Sequence, residues 1–253
     1  MSATPAQLTL LLCAALAAGT VDAIAGGGGL IALPALLAVG LPPQLALGTN
    51  KGQSVFGTGA ALIRYARSGM IDWRRARATF PLALGGAALG AQLVLLLSNA
   101  VLRPVVLVLL VLVAAAFALR PSTVPRQAAR PLRHDLAIAG AVAFALAAYD
   151  GFFGPGTGTF LIFAFVFFFN STLAHASADA KVVNFASNLA ALATFALRGL
   201  VLWKIALPMA AAQAVGGTLG AHLAIRGGDK RVRQIVFVVV AALVFKLGHD
   251  LFV

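Results

Sequence analysis

Apolar runs follow one another along almost the whole of this 253-residue chain. Hydrophobic residues make up 61% of the sequence and charged residues 10%, whereas a soluble domain is about half apolar and about a quarter charged. About 20 apolar residues suffice for a helix to cross a bilayer. The sequence therefore predicts an all-α polytopic membrane protein, with helices near 7–24, 30–40, 43–63, 78–98, 104–119, 136–153, 159–170, 181–197, 205–225 and 234–248.

Two of these runs, 30–40 and 159–170, are too short to cross a bilayer unaided. The first follows the four glycines of VDAIAGGGGLIALPALLAVG at 21–40, and the second follows YDGFFGPGTGTF at 149–160. Glycine costs about 1 kcal/mol relative to alanine inside a helix, and proline costs more. We therefore expect two half-helices, or two spans interrupted partway.

The two halves of the chain resemble each other. A shift of 130 residues aligns Lys51 with Lys181, and GAALGAQL at 86–93 with GGTLGAHL at 216–223; a shift of 128 aligns Asp22 with Asp150. The same offsets align Gly69 with Gly199, Trp73 with Trp203, Arg74 with Lys204, Arg103 with Arg233 and Gly26 with Gly154. We interpret this as an internal duplication: a first transmembrane repeat at 1–120, a basic linker at 121–135 and a second repeat at 136–253.

Positive charge is concentrated between the apolar runs. Thirteen of the nineteen basic residues lie in the segments 64–77, 120–133 and 226–233, which is the positive-inside pattern of cytoplasmic loops. The excess alternates between equivalent loops, so the halves should have opposite topology, with both termini facing outward. The basic segments lack the base-reading and stacking groups of a nucleic-acid footprint, which excludes that partner.

The glycine-rich breaks are candidate anion sites. Four glycines in a row, Gly26–Gly29, expose backbone N–H groups on every side of the N-terminus of a following helix, where the dipole favours negative charge. Close helix packing is the alternative, although it needs small residues on one face only. In the second break Pro155 ends the helix, and the residues that would approach a ligand are Gly154, Gly156, Thr157 and Gly158.

Ionisable residues inside apolar runs are costly and mark functional sites by default. Lys51 and Lys181 should approach each other across the repeat axis, with an anion or a carboxylate between them. The alternative is that each lysine forms a structural ion pair with Asp22, Asp150 or Asp179. Asp22 and Asp150 could also carry a coupled proton. Polar neighbours that could complete the substrate shell are Thr49, Asn50, Gln53, Asn184 and Asn188.

Other chemistries lack their motifs. The four histidines and the single cysteine show no metal-ligand spacing. GGGGLI lacks the third glycine of a dinucleotide fingerprint, and no strand precedes it. We find no catalytic constellation and no ATP-binding motif, and therefore expect no metal, no cofactor and no enzymatic activity.

The motifs VDAIAGGGGLIALPALLAVGLPPQLALGTNK, YDGFFGPGTGTF and AKVVNFASN resemble the signatures of the TauE/SafE family of sulfite-exporter-like membrane proteins, in its YfcA-like branch. The resemblance covers nearly the whole chain. It implies a bacterial permease, in a family linked to sulfite, sulfoacetate and related small anions.

These observations together predict a secondary transporter, an exporter of small sulfite- or sulfonate-like anions or organic acids, working by alternating access with no ATP. An anion channel could use the same basic, glycine-lined site. An intramembrane enzyme is disfavoured by the missing catalytic groups, and a purely structural role leaves the buried charges unexplained.

Overall fold

The computed structural model describes residues 4–118 and 135–252, with side chains at 4–113 and 135–227. Throughout this part of the chain the regular structure is helical, as the apolar runs predict. The helices are α1 (Pro5–Ala25), α2 (Gly29–Ala38), α3 (Pro43–Arg67), α4 (Trp73–Leu95), α5 (Asn99–Ala118), α6 (Asp135–Phe152), α7 (Thr157–Phe169), α8 (Leu173–Leu197) and α9 (Trp203–Phe252).

Local sequence sets several helix ends. Thr4 and Gln7 form a capping box at the start of α1, and the side chains of Asp72 and Thr172 accept the N–H groups of the third residues of α4 and α8. Such caps satisfy backbone donors that the first helical turn leaves free. Helix α1 ends at Gly26, whose φ of 77° is left-handed and suits glycine.

Four helices in the described part, α1, α4, α6 and α8, are long and apolar enough to cross a membrane. The short helices α2 and α7 have 10 and 13 residues. At about 1.5 Å per residue they reach only about 15 to 20 Å, less than the hydrocarbon thickness of about 30 Å. The prediction of two short helices after the glycine-rich breaks is therefore confirmed.

Two predicted boundaries are wrong. Helix α8 begins at Leu173 rather than near 181, because Thr172 caps it and polar residues in its first turns are buried against other helices. Helix α9 continues through 226–233, where we expected a loop between two helices. Lysine and arginine interrupt an apolar run without opposing helix formation, so charge alone is a poor indicator of a helix end.

The two sequence halves share one core. Helix α1 packs along α9, α6 along α4, and the central helices α3 and α8 contact each other. The predicted units at 1–120 and 136–253 thus interleave. The predicted linker at 121–135 lies outside the described residues except for Asp135, the first residue of α6.

Several packing contacts occur in matched pairs. A side chain at Gly86 on α4 would overlap the carbonyl of Phe144 on α6, and one at Gly216 on α9 would overlap the carbonyl of Leu16 on α1. These four positions correspond to one another under the offsets of 130 and 128 residues. Small residues at these positions let the helix backbones approach closely, as membrane helices commonly do.

A second matched pair is polar. The N–H of Asp72 donates to a carboxylate oxygen of Asp179 at 2.9 Å, and the N–H of Leu202 donates to the hydroxyl of Thr49 at 3.1 Å. Each bond ties the loop before α4 or α9 to the central helix of the opposite half. The backbone N–H groups at these equivalent positions therefore have different acceptors, a carboxylate for Asp72 and a neutral hydroxyl for Leu202.

Candidate functional site

The two glycine-rich breaks lie against each other inside the helix bundle. A side chain at Gly26 would overlap the backbone of Gly158 and Thr159, and the hydroxyl of Thr159 donates to the carbonyl of Ala25 at 2.5 Å. In the second break, Gly154 and Gly156 both have left-handed φ values, 98° and 85°. The turns therefore use glycine both for its backbone conformation and for the closeness of the contact.

A small polar cavity lies where these breaks meet the central helices. Its volume is about 20 Å³, enough for one or two water molecules. The first residues of α2 and α7 border it, so the positive ends of both helix dipoles lie at the cavity. Its lining residues are Asp22, Gly26, Gly29, Asn50, Lys51, Ser54, Thr58, Asp150, Gly154, Thr157, Gly158, Asn184, Asn188 and Gln213.

Lys51 is the ammonium group that lines this cavity. Its Nζ lies 2.9 Å from Oδ1 of Asp150 and 3.0 Å from Oδ1 of Asn188. The side chains of Lys51 and Asp150 are only 2% and 6% exposed, and the second oxygen of Asp150 accepts a hydrogen bond from Ser187. The charged pair is therefore desolvated and held by further polar groups, as a buried ion pair requires.

The second lysine forms an equivalent pair with a different surrounding. Nζ of Lys181 lies 2.9 Å from Oδ2 of Asp22, and the two side chains are 0% and 13% exposed. Asp22 lines the cavity, whereas Lys181 does not. Each lysine thus pairs with the aspartate of the other half, which is the structural ion-pair alternative considered from the sequence.

Asp179 lies in a separate network. Its carboxylate is 2.7 Å from the guanidinium of Arg75, which stacks over the ring of Phe169 at 4.3 Å from the ring centre. It also accepts the N–H of Asp72. This aspartate therefore links α8 to the start of α4 and does not pair with a lysine.

The remaining sequence-predicted residues divide into two groups. Those at the cavity are Gly26, Gly29, Asn50, Gly154, Thr157, Gly158, Asn184 and Asn188. Those beside it are Gly27, Gly28 and Gly156, which form the turns, together with Thr49, which binds the N–H of Leu202, and Gln53, which donates to Asn50 at 3.0 Å.

Three lining residues were not predicted: Ser54, Thr58 and Gln213. Ser54 and Thr58 follow Asn50 at intervals of four residues, so they lie on one face of α3. That periodicity was visible in the sequence. Gln213 is an isolated amide in an apolar helix, which is a weaker signal, and it reaches the cavity because α9 packs on both α1 and α3.

The arrangement places donors suited to an anion beside two carboxylates. It offers one ammonium group, the N-terminal ends of two helices, amides and hydroxyls, together with the carboxylates of Asp22 and Asp150, and most of these residues are buried. Among the described residues no three histidine, cysteine, aspartate or glutamate side chains lie close enough to hold a metal ion.

Comparison with known proteins identifies the family. The family model described as "Sulfite exporter TauE/SafE" matches residues 11–247. The chain belongs to the TauE/SafE family. It is 37% identical over 246 residues to "Probable membrane transporter protein ORF9" of Sinorhizobium sp, covering 96% of this chain and 93% of that protein. No solved structure matches it.

Two further relatives carry similar names. "Probable membrane transporter protein YfcA" of Escherichia coli K12 is 35% identical over 250 residues, covering 98% of this chain and 91% of the relative. A "Probable membrane transporter protein" of Haemophilus influenzae is 36% identical over 243 residues, with 96% and 95% covered. This TauE/SafE member is accordingly a membrane protein of a transporter family, and the family is not one of enzymes.

Proposed function

We propose that this TauE/SafE protein is a secondary transporter that exports small oxyanions, sulfite- or sulfonate-like compounds or organic acids, across the bacterial cytoplasmic membrane. The observation that carries the proposal is the Lys51 ammonium group, buried in a polar cavity between the N-termini of α2 and α7. A buried cation in a membrane protein is costly unless it has a partner or a function. Here its environment suits an incoming oxyanion.

The transport mechanism is alternating access between two inverted repeats, with both termini outside. The contact of Gly86 with Phe144 corresponds to that of Gly216 with Leu16, and both support internal two-fold symmetry. So do the corresponding hydrogen bonds accepted by Asp179 and Thr49. Broken helices whose N-termini meet at a site between repeats are typical of secondary transporters. The small volume of the cavity, with a buried ion pair in its lining, favours a carrier over an open channel.

The substrate class follows from the size and polarity of the site. The cavity has room for only one or two waters while Lys51 is paired with Asp150, so a ligand must be small and must separate this pair. A compact oxyanion can replace the carboxylate because it presents the same acceptor chemistry to the ammonium group. The family description, a sulfite exporter, is consistent with this size and charge.

The test uses purified protein in proteoliposomes and a panel of sulfite, methanesulfonate, sulfoacetate and acetate. Saturable flux with counterflow is expected for at least one anion. Lys51→Gln should weaken anion affinity about tenfold to hundredfold, since a hydrogen bond to a charged group contributes about 1.5–3 kcal/mol. The matched control is Lys204→Gln, at an exposed lysine near the start of α9, which should leave affinity unchanged.

Two results would overturn the proposal. If no panel anion binds or moves, the protein does not carry this class of substrate. If Lys51→Gln and Lys204→Gln behave alike while flux persists, the cavity is not the binding site. Flux that does not saturate and shows no counterflow would instead identify a channel.

A further inference from the structure

The buried charges around the cavity are balanced before any substrate binds. Lys51 is paired with Asp150 and Lys181 with Asp22, each at 2.9 Å. These four side chains are almost completely withdrawn from solvent, and two of one sign face two of the other. An anion that enters this site adds a negative charge with no positive charge to match it, in surroundings where an unbalanced charge is strongly unfavourable.

The geometry indicates which group the anion would disturb. Lys51 is the lining ammonium, and one of its acceptors is Oδ1 of Asp150. The cavity is too small for an oxyanion beside the intact pair. Moreover, an added methyl group at Gly154 would lie 3.0 Å from Nζ of Lys51, so little space exists on that side. Binding therefore separates Lys51 from Asp150 and leaves this carboxylate without its ammonium partner.

Within the part of the chain whose side chains are described, the groups that face Asp150 offer no replacement cation. Helix α8 brings the hydroxyl of Ser187 to its second oxygen, and Asn188 of the same helix binds Lys51. Helix α7 has no charged residue in its sequence. Asp22 of α1 lines the same cavity with a negative charge, and it is paired with Lys181.

Helix α4 packs along α6, but its charged residues lie far from Asp150. Its arginines, Arg74, Arg75 and Arg77, all lie in its first five residues. It approaches the Asp150 end of α6 at Gly90, where an added side chain would overlap the carbonyl of Ala148. The nearest of these arginines, Arg77, is 13 positions from Gly90, or about 20 Å along the helix.

We propose that Asp150 takes up a proton when the anion binds, so that one proton accompanies each negative charge of the substrate. This inference rests on the proposed function. The proton adds to the carboxylate oxygen freed from Lys51, the ammonium transfers its hydrogen bond to the oxyanion, and Ser187 remains beside the neutral acid. The site then has the same net charge with and without substrate.

Coupling of this kind makes transport of a monovalent anion electroneutral and dependent on pH. The direction of transport follows the sum of the anion and proton gradients. The protein exports the anion when the outward anion gradient is larger than the inward proton gradient. It imports the anion when the inward proton gradient is the larger one.

Methanesulfonate is the primary probe because its single negative charge does not change near neutral pH. In proteoliposomes held at zero membrane potential with potassium and valinomycin, a more acidic exterior should drive its accumulation up to about tenfold per pH unit, the limit for one proton per anion. A trapped pH dye should report one proton entering with each anion. Any other panel anion that is carried is measured in the same way, at a pH far from its own pKa.

Asp150→Asn is the decisive variant, since the amide resembles the protonated acid and cannot exchange a proton. Accumulation of methanesulfonate driven by pH should be lost, and whatever binding or flux of methanesulfonate remains should take up no proton. The matched control is Asp135→Asn, the same substitution at the partly exposed beginning of the same helix, and it should remain coupled. Should Asp150→Asn fail to fold, proton uptake on methanesulfonate binding is measured on the wild-type protein by calorimetry in buffers of different ionisation enthalpy.

The outcomes separate the two proposals. Anion flux that carries net charge, or binding without proton uptake, overturns the coupling and leaves the transport function intact. Persistence of pH-driven accumulation in Asp150→Asn removes Asp150 from the role. Absence of binding and flux for the whole panel overturns both proposals.

Discussion

The two lysine–aspartate pairs have the same length and equivalent sequence positions, yet their surroundings differ. Lys51 and Asp150 both line the cavity, and Asn188 and Ser187 supply further hydrogen bonds. In the other pair only Asp22 reaches the cavity, while Lys181 is fully enclosed by α8 and its neighbours. Two ion pairs at equivalent sequence positions can therefore have different roles. Our proposal places substrate recognition at the first pair and helix association at the second.

The largest expected effect tests the structural role of the enclosed pair. Lys181→Met leaves Asp22 without its cation and should lower the free energy of unfolding by about 3–5 kcal/mol. The double variant Lys181→Met, Asp22→Leu should recover most of this loss, because apolar residues of similar volume can replace a buried pair. Thermal unfolding in detergent measures both.

The contrasting expectation concerns binding. The double variant should still bind methanesulfonate within a few-fold of wild type, since Lys51 and Asp150 remain. A loss of binding as large as that of Lys51→Gln would show that both pairs recognise substrate and would remove the distinction between them.

The next effect compares the equivalent glycines that follow each aspartate. Gly26→Ala should destabilise the fold by at least about 1–3 kcal/mol, because left-handed backbone is strained for alanine and the methyl group meets the backbone of Gly158. At Gly154 the methyl group meets the ends of Lys51 and Asp150 instead. Gly154→Ala should therefore weaken anion binding more than Gly26→Ala does, in a ligand-dependent thermal-shift measurement on both variants.

The smallest effect tests whether the contact between the breaks matters to recognition. Thr159→Val removes the hydroxyl that donates to the carbonyl of Ala25, and should cost about 0.5–1.5 kcal/mol of stability. Anion affinity should not change, because Thr159 does not line the cavity. If Thr159→Val clearly lowered anion affinity without lowering stability, the contact between the two glycine-rich turns, rather than the Lys51–Asp150 pair, would control binding.

Much of the candidate site could be predicted from residue types. Charged residues are rare in membrane helices, and four consecutive glycines or a proline between glycines oppose a continuous helix, so Asp22, Lys51, Asp150 and the two breaks stood out without knowledge of the fold. Ser54 and Thr58 could have been added from their spacing after Asn50. The partner of each charge could not be read in this way, since pairing depends on how α1, α3, α6 and α8 cross.

Asp179 illustrates that limit. From the sequence it resembled the other membrane aspartates, being two residues before Lys181 in an apolar run. Its partner is Arg75, more than a hundred residues away, brought close because α4 packs on α8. The sequence also did not predict that α9 continues through its basic segment. Lysine and arginine are good helix formers, so a cluster of them does not indicate where a helix ends.

The sequence by itself determined the helical class, the membrane setting and the family, because these depend on hydrophobicity and motif identity. The tertiary structure decided that each lysine pairs with the aspartate of the opposite half, and that Lys51 rather than Lys181 lines the cavity. The physical reason is that a buried charge takes the nearest compensating group, and only the packing of the helices determines which group is nearest.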